Sequence, residues 1–393
     1  MKRDVVVLNC GSSSVKFAII DADTGEAGLS GIAESLGNSD ASLTFKHNGS
    51  KNKVQLSPNA GHTEALNAIQ TVITDTGVAP IAVGHRVVHG GERFKQAALV
   101  DDSVLADVEK YASMAPLHNM ANLKGITTAQ EAYPDLPHVV VFDTSFFQKM
   151  PEKAYLYALP KALYRDHGIR RYGFHGTSHK FILDSTAALL DKPVAQTSII
   201  SAHLGNGCSV TAIEQGVAVD TSLGFTPLEG LIMGTRSGDL DPSLPGTLQN
   251  KLGKTADEIN DLLNKSSGLL GISELSNDCR TLEDAAIEGH EGAKLAIEMF
   301  CYRLAKYISG YMIAVPSLDA IVFTGGIGEN AAGIRSAICA DLDDFGISLD
   351  PTENASASVE CDISAHKSRT KIWVVPTNEE LIVARQVHQL LQG

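Results

Sequence analysis

Short apolar runs of strand length alternate along this chain with longer stretches in which apolar residues recur at helical spacing. The strand-like runs predict strands at 5–9, 15–20, 81–83, 139–142, 198–203, 209–213, 320–324 and 371–375. The helical spacing predicts helices at 61–76, 102–114, 178–190, 256–264 and 291–314. This alternation predicts an α/β fold. Two polar stretches rich in Gly, Ser, Asn and Lys predict loops at 36–62 and 350–370.

Length, charge and cysteine usage narrow the class of protein. A chain of 393 residues exceeds one ordinary core and predicts two domains. Its 32 Lys and Arg against 46 Asp and Glu give a formal charge of −14, which argues against a nucleic-acid partner. The six cysteines form no C-x-x-C pair, which favours reduced thiols in the cytoplasm. No apolar stretch reaches the roughly 18 residues of a membrane span, so we expect a soluble protein without a membrane partner.

Residues 5–20 form two apolar runs separated by small polar residues, and the second run contains Lys16. A tight turn needs Asn9 and one glycine, but not also three consecutive serines and a lysine inside an apolar strand. Backbone N–H groups, serine hydroxyls and lysine all bind anions, so we favour a phosphate-binding hairpin over a plain turn. It is not a Walker loop, because G-x-x-x-x-G-K-[ST] is absent and no helix is expected to follow.

Two further glycine turns follow apolar strands. Residues 198–213 repeat the hairpin pattern, with His203 before the turn LGNGC at 204–208. Two such hairpins facing each other would hold the phosphates of a nucleotide, although two unrelated hairpins explain the same pattern. At 320–330 a strand runs into G-G-x-G and then a helical pattern. This arrangement is typical either of an anion or ribose site at a helix N-terminus or of a simple tight turn.

Two arginines lie among glycines in segments that follow strands or loops. Arg86 stands between two histidines in GHRVVHGGERF at 84–94, and Arg236 lies beside two aspartates in GLIMGTRSGDLDP at 230–242. A single arginine in a loop is usually a surface charge. Two arginines framed by glycines are better explained as forks for a carboxylate or a phosphoryl group.

An aspartate and a pair of histidines are further candidates. Asp143 ends a strongly apolar strand, where open α/β sheets present functional groups, although a turn or helix cap explains it equally. His175 and His179 have the spacing of a zinc pair on a helix, but Gly173 and Gly176 make a regular helix through His175 unfavourable. We therefore interpret His175 as a donor to a phosphoryl group near a helix start.

Residues 373–386 predict a strand followed by a helix, with a capping box formed by Thr377 and Glu380. Glu379 is then either an ordinary acidic residue of the first helical turn or a Mg²⁺ ligand that binds through water. Together these features predict phosphoryl transfer, in which positioning and charge neutralisation supply most of the catalysis. The residues themselves leave the phosphoryl acceptor open.

Eight motifs, in order through nearly the whole chain, resemble the acetate kinase family. They are NCGSSSVK at 9–16, GHRVVHGGE at 84–92, FDT at 142–144, HGTSH at 175–179, HLGNG at 203–207, GTRSGD at 234–239, FTGGIGEN at 323–330 and PTNEE at 376–380. The resemblance implies two duplicated actin-like (ribonuclease H-like) domains with a nucleotide cleft between them. The N-terminal domain would be 1–146 plus 382–393, and 147–381 would form the nucleotide-binding and dimerising domain.

The resemblance also implies an activity, which is the reversible, ATP-dependent phosphorylation of acetate to acetyl phosphate by direct in-line transfer. The partners would be ATP or ADP, acetate or acetyl phosphate, and a second copy of the chain in a homodimer. A propionate or other short-chain carboxylate kinase is the alternative enzyme. An actin-like or chaperone-like ATP-binding module is the alternative from another class, and it has no need of two arginines beside an acyl pocket.

By the same resemblance, Arg86 and Arg236 would bind the carboxylate and then the transferring phosphoryl group, and His175 would donate to that group. Asp143 would orient or deprotonate the acid, and we favour orientation because a carboxylate is already ionised near neutral pH. The acyl pocket would be closed by Val88, Leu117 and Pro227. Valine at position 88 should crowd propionate, and one methylene discriminates by only about 1–3 kcal/mol.

For the nucleotide and its metal, the resemblance implies a larger set. The metal would be Mg²⁺, with Mn²⁺ as the alternative, held by Asn9 and Glu379. The nucleotide-binding residues would be Lys16, His203, Leu204, Gly205, Asn206, Gly207, Asp278, Cys279, Arg280, Gly326, Ile327, Gly328 and Asn330. Two positions depart from the family pattern, Phe147 in place of histidine and Cys208 in place of glycine. The second departure predicts sensitivity to thiol reagents.

Overall fold

The computed structural model describes residues 3–392, except for the side chains of Ser113, Pro116 and Leu117. Its strands are β1 (Asp4–Cys10), β2 (Val15–Asp21), β3 (Ala27–Glu34), β4 (Ser42–His47), β5 (Ser50–Gln55), β6 (Ala82–Val87), β7 (Ala98–Leu99), β8 (His138–Phe142), β9 (Ile199–Leu204), β10 (Cys208–Glu214), β11 (Val217–Thr221), β12 (Ala320–Thr324), β13 (Cys361–Asp362) and β14 (Lys371–Val374).

The α-helices are α1 (His62–Asp75), α2 (Asp102–Lys110), α3 (Pro116–Ala132), α4 (Glu152–Tyr155), α5 (Lys161–His167), α6 (Gly176–Leu189), α7 (Leu244–Leu252), α8 (Ala256–Lys265), α9 (Gly268–Ser273), α10 (Cys279–Ile287), α11 (Glu291–Tyr311), α12 (Gly325–Asn330), α13 (Ala332–Ala340), α14 (Pro351–Ser356) and α15 (Glu379–Gln392). Short 3₁₀ helices occur at Tyr111–Ser113, Asp143–Phe147, Val194–Gln196 and Asp343–Phe345. Across residues 3–392, no helix combines the length and the apolar character needed to cross a membrane.

The chain divides into two compact units. The first unit comprises the chain up to Gln148, then Phe174–Thr177, and finally the C-terminal segment from Asn378. The second unit comprises Lys149–Gly173 and Ser178–Thr377. The division into domains at residues 146 and 382 stays a prediction.

Each unit is built on one sheet, and the two sheets share a topology. In the first unit the strand order is β5-β4-β3-β2-β1-β6-β8-β7, and in the second it is β11-β10-β9-β12-β14-β13. In the first unit β1 pairs antiparallel with β2 and parallel with β6, and β6 pairs parallel with β8. In the second unit β9 pairs in the same way with β10 and β12, and β12 pairs parallel with β14. The repeated order confirms the predicted duplicated α/β fold.

The predicted loop at 36–62 is wrong, because it contains the antiparallel strands β4 and β5. Leu43 of β4 is fully buried, whereas every residue of β5 is exposed. β5 is the outermost strand of its sheet, so it needs no apolar residues and its composition is that of a loop. The predicted loop at 350–370 likewise contains helix α14 and the short strand β13.

Helix α15 returns to the sheet of the first unit and packs on β1 and β6. Val383 and Val387 of this helix lie against Gly84 of β6, where a Cβ atom would come within 2.8–2.9 Å of their methyl groups. Since only glycine allows this approach, the contact fixes the helix against the sheet. It thereby sets the position of Glu379, the first residue of the helix.

Candidate active site

A buried cluster of charged and polar side chains lies in the first unit around Arg86. Its Nε and Nη2 donate to the two oxygens of Asp143 at 3.0 and 2.6 Å, in a side-on ion pair. Nε also lies 3.3 Å from a carboxylate oxygen of Glu379, and Nη1 donates to the amide oxygen of Asn9 at 3.4 Å. The structure therefore brings together four residues that the sequence placed in four separate motifs.

Burial and charge perturb the pKa values in this cluster. The side chain of Asp143 is 1% exposed, and burial raises the pKa of its carboxyl against the opposing charge of Arg86. Burial also disfavours the charged form of Arg86, but the carboxylates of Asp143 and Glu379 outweigh it and raise the pKa of the guanidinium. Arg86 thus stays a cation, and both oxygens of Asp143 are engaged in holding its fork in one orientation.

The sequence reasoning missed Thr177, which joins the two carboxylates. Its hydroxyl lies 2.7 Å from an oxygen of Glu379 and 3.3 Å from an oxygen of Asp143. Thr177 comes one residue after Gly176, where a Cβ atom would overlap the carbonyl oxygen of Asp143. The glycine of HGTSH therefore lets the start of α6 approach Asp143, and this approach brings the threonine into the cluster.

His175 immediately precedes helix α6, as the glycine spacing predicts. Its φ of +57° lies in the left-handed region, which costs a non-glycine residue about 1 kcal/mol or more. Such a conformation persists only where the surrounding structure fixes it. His175 is half-buried in the first unit, and its role as a phosphoryl donor stays a prediction.

The predicted capping box at Thr377 and Glu380 is wrong. Helix α15 begins at Glu379, and the side-chain oxygen of Asn378 accepts from the N–H of Leu381. Asn378 is therefore the N-cap residue. The hydroxyl of Thr377 instead lies 2.9 Å from that of Ser178.

The remaining predicted residues of the first unit differ in their burial and in their contacts. Asn9 and Lys16 are paired across the β1–β2 hairpin, and Lys16 is exposed. Val88 is buried, and its N–H donates to the side chain of Asn122. Phe147 is fully buried, so this departure from the family pattern adds to the core of the unit. The side chain of Leu117 lies outside the described residues.

In the second unit, the β9–β10 hairpin forms the second predicted turn. The N–H of Gly205 donates to the carbonyl of Gly207 at 3.1 Å. The backbone carbonyl of Asn206 accepts from Gly234, and its side-chain oxygen accepts from Asn277 at 3.0 Å. A Cβ atom at Gly234 would overlap that side chain, so the glycine before Arg236 is required for this contact. The turn and the loop that carries Arg236 are thereby joined.

Arg236 is held by backbone groups. Its Nη1 donates to the carbonyl of Pro227 at 3.2 Å. The loop is fixed at its backbone, since Ser267 and Leu269 donate to the carbonyls of Thr235 and Met233. Burial lowers the pKa of Arg236. The net shift is opposite to that at Arg86, because no carboxylate contributes to the pKa of Arg236.

The zinc interpretation of His175 and His179 fails on the contacts of His179. Both ring nitrogens of this buried histidine lie 2.8 Å from serine hydroxyls, those of Ser201 and Ser209. Within the part of the chain that is described, no cluster of three or more His, Cys, Asp or Glu side chains could hold a metal ion. His203 in turn lies 2.8 Å from the hydroxyl of Ser178.

A cavity of 540 Å³ in the second unit contains most of the predicted nucleotide residues. The predicted residues that line it are Gly205, Asn206, Asp278, Cys279, Arg280, Gly326, Ile327 and Asn330. The lining omits His203, Leu204, Gly207 and Gly328; Leu204 and Gly328 are buried. Lys16 belongs to the first unit.

The same cavity is also lined by Asn277, Glu283 and Ala331, which the sequence reasoning missed. Glu283 lies one helical turn beyond Cys279 on α10, so helical spacing from the predicted residue could have found it.

The predicted reactivity of Cys208 is wrong. The thiol is fully buried and donates to the carbonyl of Gly205 at 3.1 Å. Burial raises its pKa to about 12, so the nucleophilic thiolate is absent near neutral pH. Cys208 closes the hairpin turn from inside.

Comparison with known proteins agrees with this architecture. A model of the acetokinase family matches residues 4–385. Acetate kinases of Shewanella sp. (strain W3-18-1) and Shewanella loihica are each 52% identical to this chain, over 98% and 99% of both sequences respectively.

Two solved structures have the same fold. A propionate kinase from Francisella tularensis aligns with a TM-score of 0.94 and 43% identity, over 98% of both chains. An acetate kinase from Porphyromonas gingivalis aligns with a TM-score of 0.92 and 43% identity, over 99% of both chains. The chain belongs to the acetokinase family.

Proposed function

We propose that this protein transfers the γ-phosphoryl group of ATP to acetate, forming acetyl phosphate reversibly by direct in-line transfer. The observation that carries the proposal is the Arg86 cluster, a guanidinium fixed side-on by Asp143 and still 16% exposed. Such a fork suits a carboxylate or phosphoryl oxygen, and its rigid orientation needs no rearrangement when charge develops. The names of the acetate kinase relatives give the acceptor.

Asp143 acts on this reaction by orienting Arg86. Both of its oxygens accept from the guanidinium, so neither is directed at an incoming acid. Acetate is already ionised near neutral pH and needs no general base. Arg86 would neutralise the carboxylate during approach and the transferring phosphoryl group afterwards. The same anion-binding role for Arg236, and donation by His175, stay predictions.

Kinases of this kind generally use a divalent metal ion with ATP, and we assign Mg²⁺ to Asn9 and Glu379. Both offer oxygen donors, which Mg²⁺ prefers, and Glu379 is 23% exposed. The amide oxygen of Asn9 accepts from Arg86, and one carboxylate oxygen of Glu379 contacts both Arg86 and Thr177. These residues therefore fit an ion held largely through water. When bound, the ion supplies charge neutralisation at the nucleotide phosphates. Thr177 and Arg86 fix the carboxylate of Glu379 for that purpose.

The cavity of 540 Å³ in the second unit is the proposed adenosine site. Gly326 and Ile327 give it a small apolar surface where helix α12 begins, and Asn330 and Arg280 supply hydrogen-bonding groups. These are the features that a base and a ribose require.

Propionate is the second candidate acceptor, because one of the closely aligned structures is named a propionate kinase. Acetate is favoured, since Val88 is buried and its backbone is fixed by Asn122, which leaves this side chain little freedom to yield to a longer acid.

We further propose a cytoplasmic homodimer. The cysteines are all unpaired and five of the six are buried, as expected for a reducing compartment. Helix α11 exposes Leu295, Met299 and Tyr302, which lie on one face at helical spacing. An apolar stripe of this kind is typical of a surface that is covered in an oligomer.

The test is to incubate the purified protein with Mg-ATP and acetate, propionate, butyrate or glycerol, and to trap acyl phosphate as the hydroxamate. We expect acetyl hydroxamate, and we expect Arg86→Ala to abolish it. Arg93→Ala is the control, because Arg93 pairs at the surface with Asp107 and should retain activity. ATP hydrolysis without acyl phosphate from any acid would show that the motifs mark only a nucleotide-binding scaffold.

A further inference from the structure

The segment that follows β11 in the second unit, residues 222–230, is an irregular turn with Pro227 near its middle. Side chains from a distant part of the same unit hold it. They are Tyr157, between helices α4 and α5, and Arg171, after α5. Neither residue belongs to a motif with assigned chemistry.

The hydroxyl of Tyr157 ties together the two arms of this turn. It accepts from the N–H of Phe225 at 2.7 Å and donates to a carboxylate oxygen of Glu229 at 2.5 Å. Pro227 lies midway between these two residues. One oxygen atom therefore closes a five-residue loop around the proline.

Arg171 fixes the base of the same turn. Its Nη2 donates to the other carboxylate oxygen of Glu229 at 2.6 Å. Its Nη1 donates to the backbone carbonyls of Thr221, Ser222 and Leu223 at 2.9, 3.2 and 3.3 Å. Thr221 ends β11, the outermost strand of its sheet, and the guanidinium supplies these carbonyls with the hydrogen bonds that regular structure provides elsewhere.

The loop is tightly packed around Gly224. A Cβ atom at Gly224 would overlap both the Glu229 carboxylate and the Tyr157 hydroxyl. The carbonyl of Pro227 in turn accepts from Nη1 of Arg236 at 3.2 Å. A displacement of the turn would therefore move both the proline and the guanidinium that depends on it.

We propose that Tyr157, with Arg171 and Glu229, is a positioning residue that sets the place of Pro227 and Arg236 and so the preference for acetate over longer acids. The inference rests on the proposed function, because it takes Pro227 as part of the acyl pocket and Arg236 as an anion ligand. The hydroxyl contacts Phe225 and Glu229. It acts through the loop that it closes.

The test compares Tyr157→Phe with the unaltered protein, using saturating Mg-ATP and either acetate or propionate. Loss of the hydroxyl leaves a backbone N–H and a carboxylate oxygen without their partner. We expect the KM for acetate to rise about tenfold and the acetate-over-propionate ratio of kcat/KM to fall about threefold or more. The KM for ATP should not change, because the cavity for adenosine is formed by other elements.

Tyr155→Phe is the matched control. The ring of Tyr155 stacks on the guanidinium of Arg170 at 3.7 Å, and its hydroxyl makes no hydrogen bond that the described residues show. It should retain the acetate KM and the acid preference. Glu229→Gln provides a second test, since it keeps the shape of the side chain but weakens both anchoring bonds. It should shift the acid preference in the same direction as Tyr157→Phe.

The outcomes separate this inference from the proposed function. If the unaltered protein makes no acyl phosphate, the proposed function fails. If it does, and Tyr157→Phe keeps the acetate KM and the acid preference, the inference is wrong. It is also wrong if Tyr157→Phe only lowers the unfolding temperature and reduces kcat equally for both acids, because that result marks a purely structural bond.

Discussion

The ion pair between Arg86 and Asp143 makes a sharp prediction, because stability and activity should respond to it in different ways. Breaking a buried pair by removing one partner costs about 3–5 kcal/mol, since the other charge is left without compensation. Asp143 is 1% exposed, whereas Arg86 is 16% exposed and keeps Glu379 as a second partner. Arg86→Ala should therefore cost about 3 kcal/mol of unfolding free energy, and Asp143→Ala about 1–2 kcal/mol.

The double variant should cost less than the sum of the single variants by about 2 kcal/mol, because it removes both charges of the buried pair together. Activity should not recover with stability, and all three variants should lack acyl phosphate formation. Urea unfolding followed by far-UV circular dichroism measures the free energy of unfolding of each variant. Trp373, the only tryptophan, lies in the second unit, so its fluorescence follows that unit separately.

Arg93→Ala serves as the control for an exposed pair. Arg93 lies 2.6 Å from Asp107 and is 51% exposed, so its loss should cost no more than about 1 kcal/mol. The reasoning is refuted if the Arg86 and Asp143 effects add within about 0.5 kcal/mol, or if the double variant forms acyl phosphate.

Three other predictions concern pH, thiols and the nucleotide cavity. Burial lowers the pKa of His85 and His89 to about 3. The unfolded chain therefore binds these protons first, so the free energy of unfolding is greatest above pH 6.5 and falls as the pH decreases towards 3. At pH 5 it should be lower than at pH 7 by about 2 kcal/mol per histidine. Equal urea midpoints at pH 7 and pH 5 would contradict this. An aromatic disulfide reagent should titrate at most one thiol in the native protein and six in denaturant, and Cys208→Ser should leave the native count unchanged. A Cβ atom at Gly326 meets nothing within 4 Å, so Gly326→Leu should fold normally but raise the KM for ATP about tenfold, whereas Gly246→Leu on exposed α7 should not.

The sequence best predicts buried elements that consist of consecutive apolar residues. Strands β1, β9 and β12 are apolar runs because parallel strands are covered on both faces, and their predicted positions agree with the structure. The strand predicted at 81–83 covers only the start of β6, because that strand continues through Gly84, His85 and Arg86. Strand β5 was missed because an edge strand is exposed and polar.

The active-site motifs are short, so their residues could be named, but the contacts between motifs could not. Thr177 lies next to a recognised histidine, yet its bond to Glu379 joins positions 202 residues apart. Thr377 has the sequence of an N-cap, but a hydroxyl elsewhere in the chain takes its side chain and Asn378 caps the helix. Cys208 appeared reactive because sequence does not show burial. These outcomes depend on partners that local sequence does not specify.

The most direct test of the central claim is a competition between acetate and propionate for a limiting amount of Mg-ATP, with both acyl phosphates quantified by ³¹P NMR before either acid is depleted. The account predicts an excess of acetyl phosphate of about tenfold or more, as expected for one methylene against a crowded pocket. Equal or greater formation of propionyl phosphate, or consumption of ATP without either product, would contradict it.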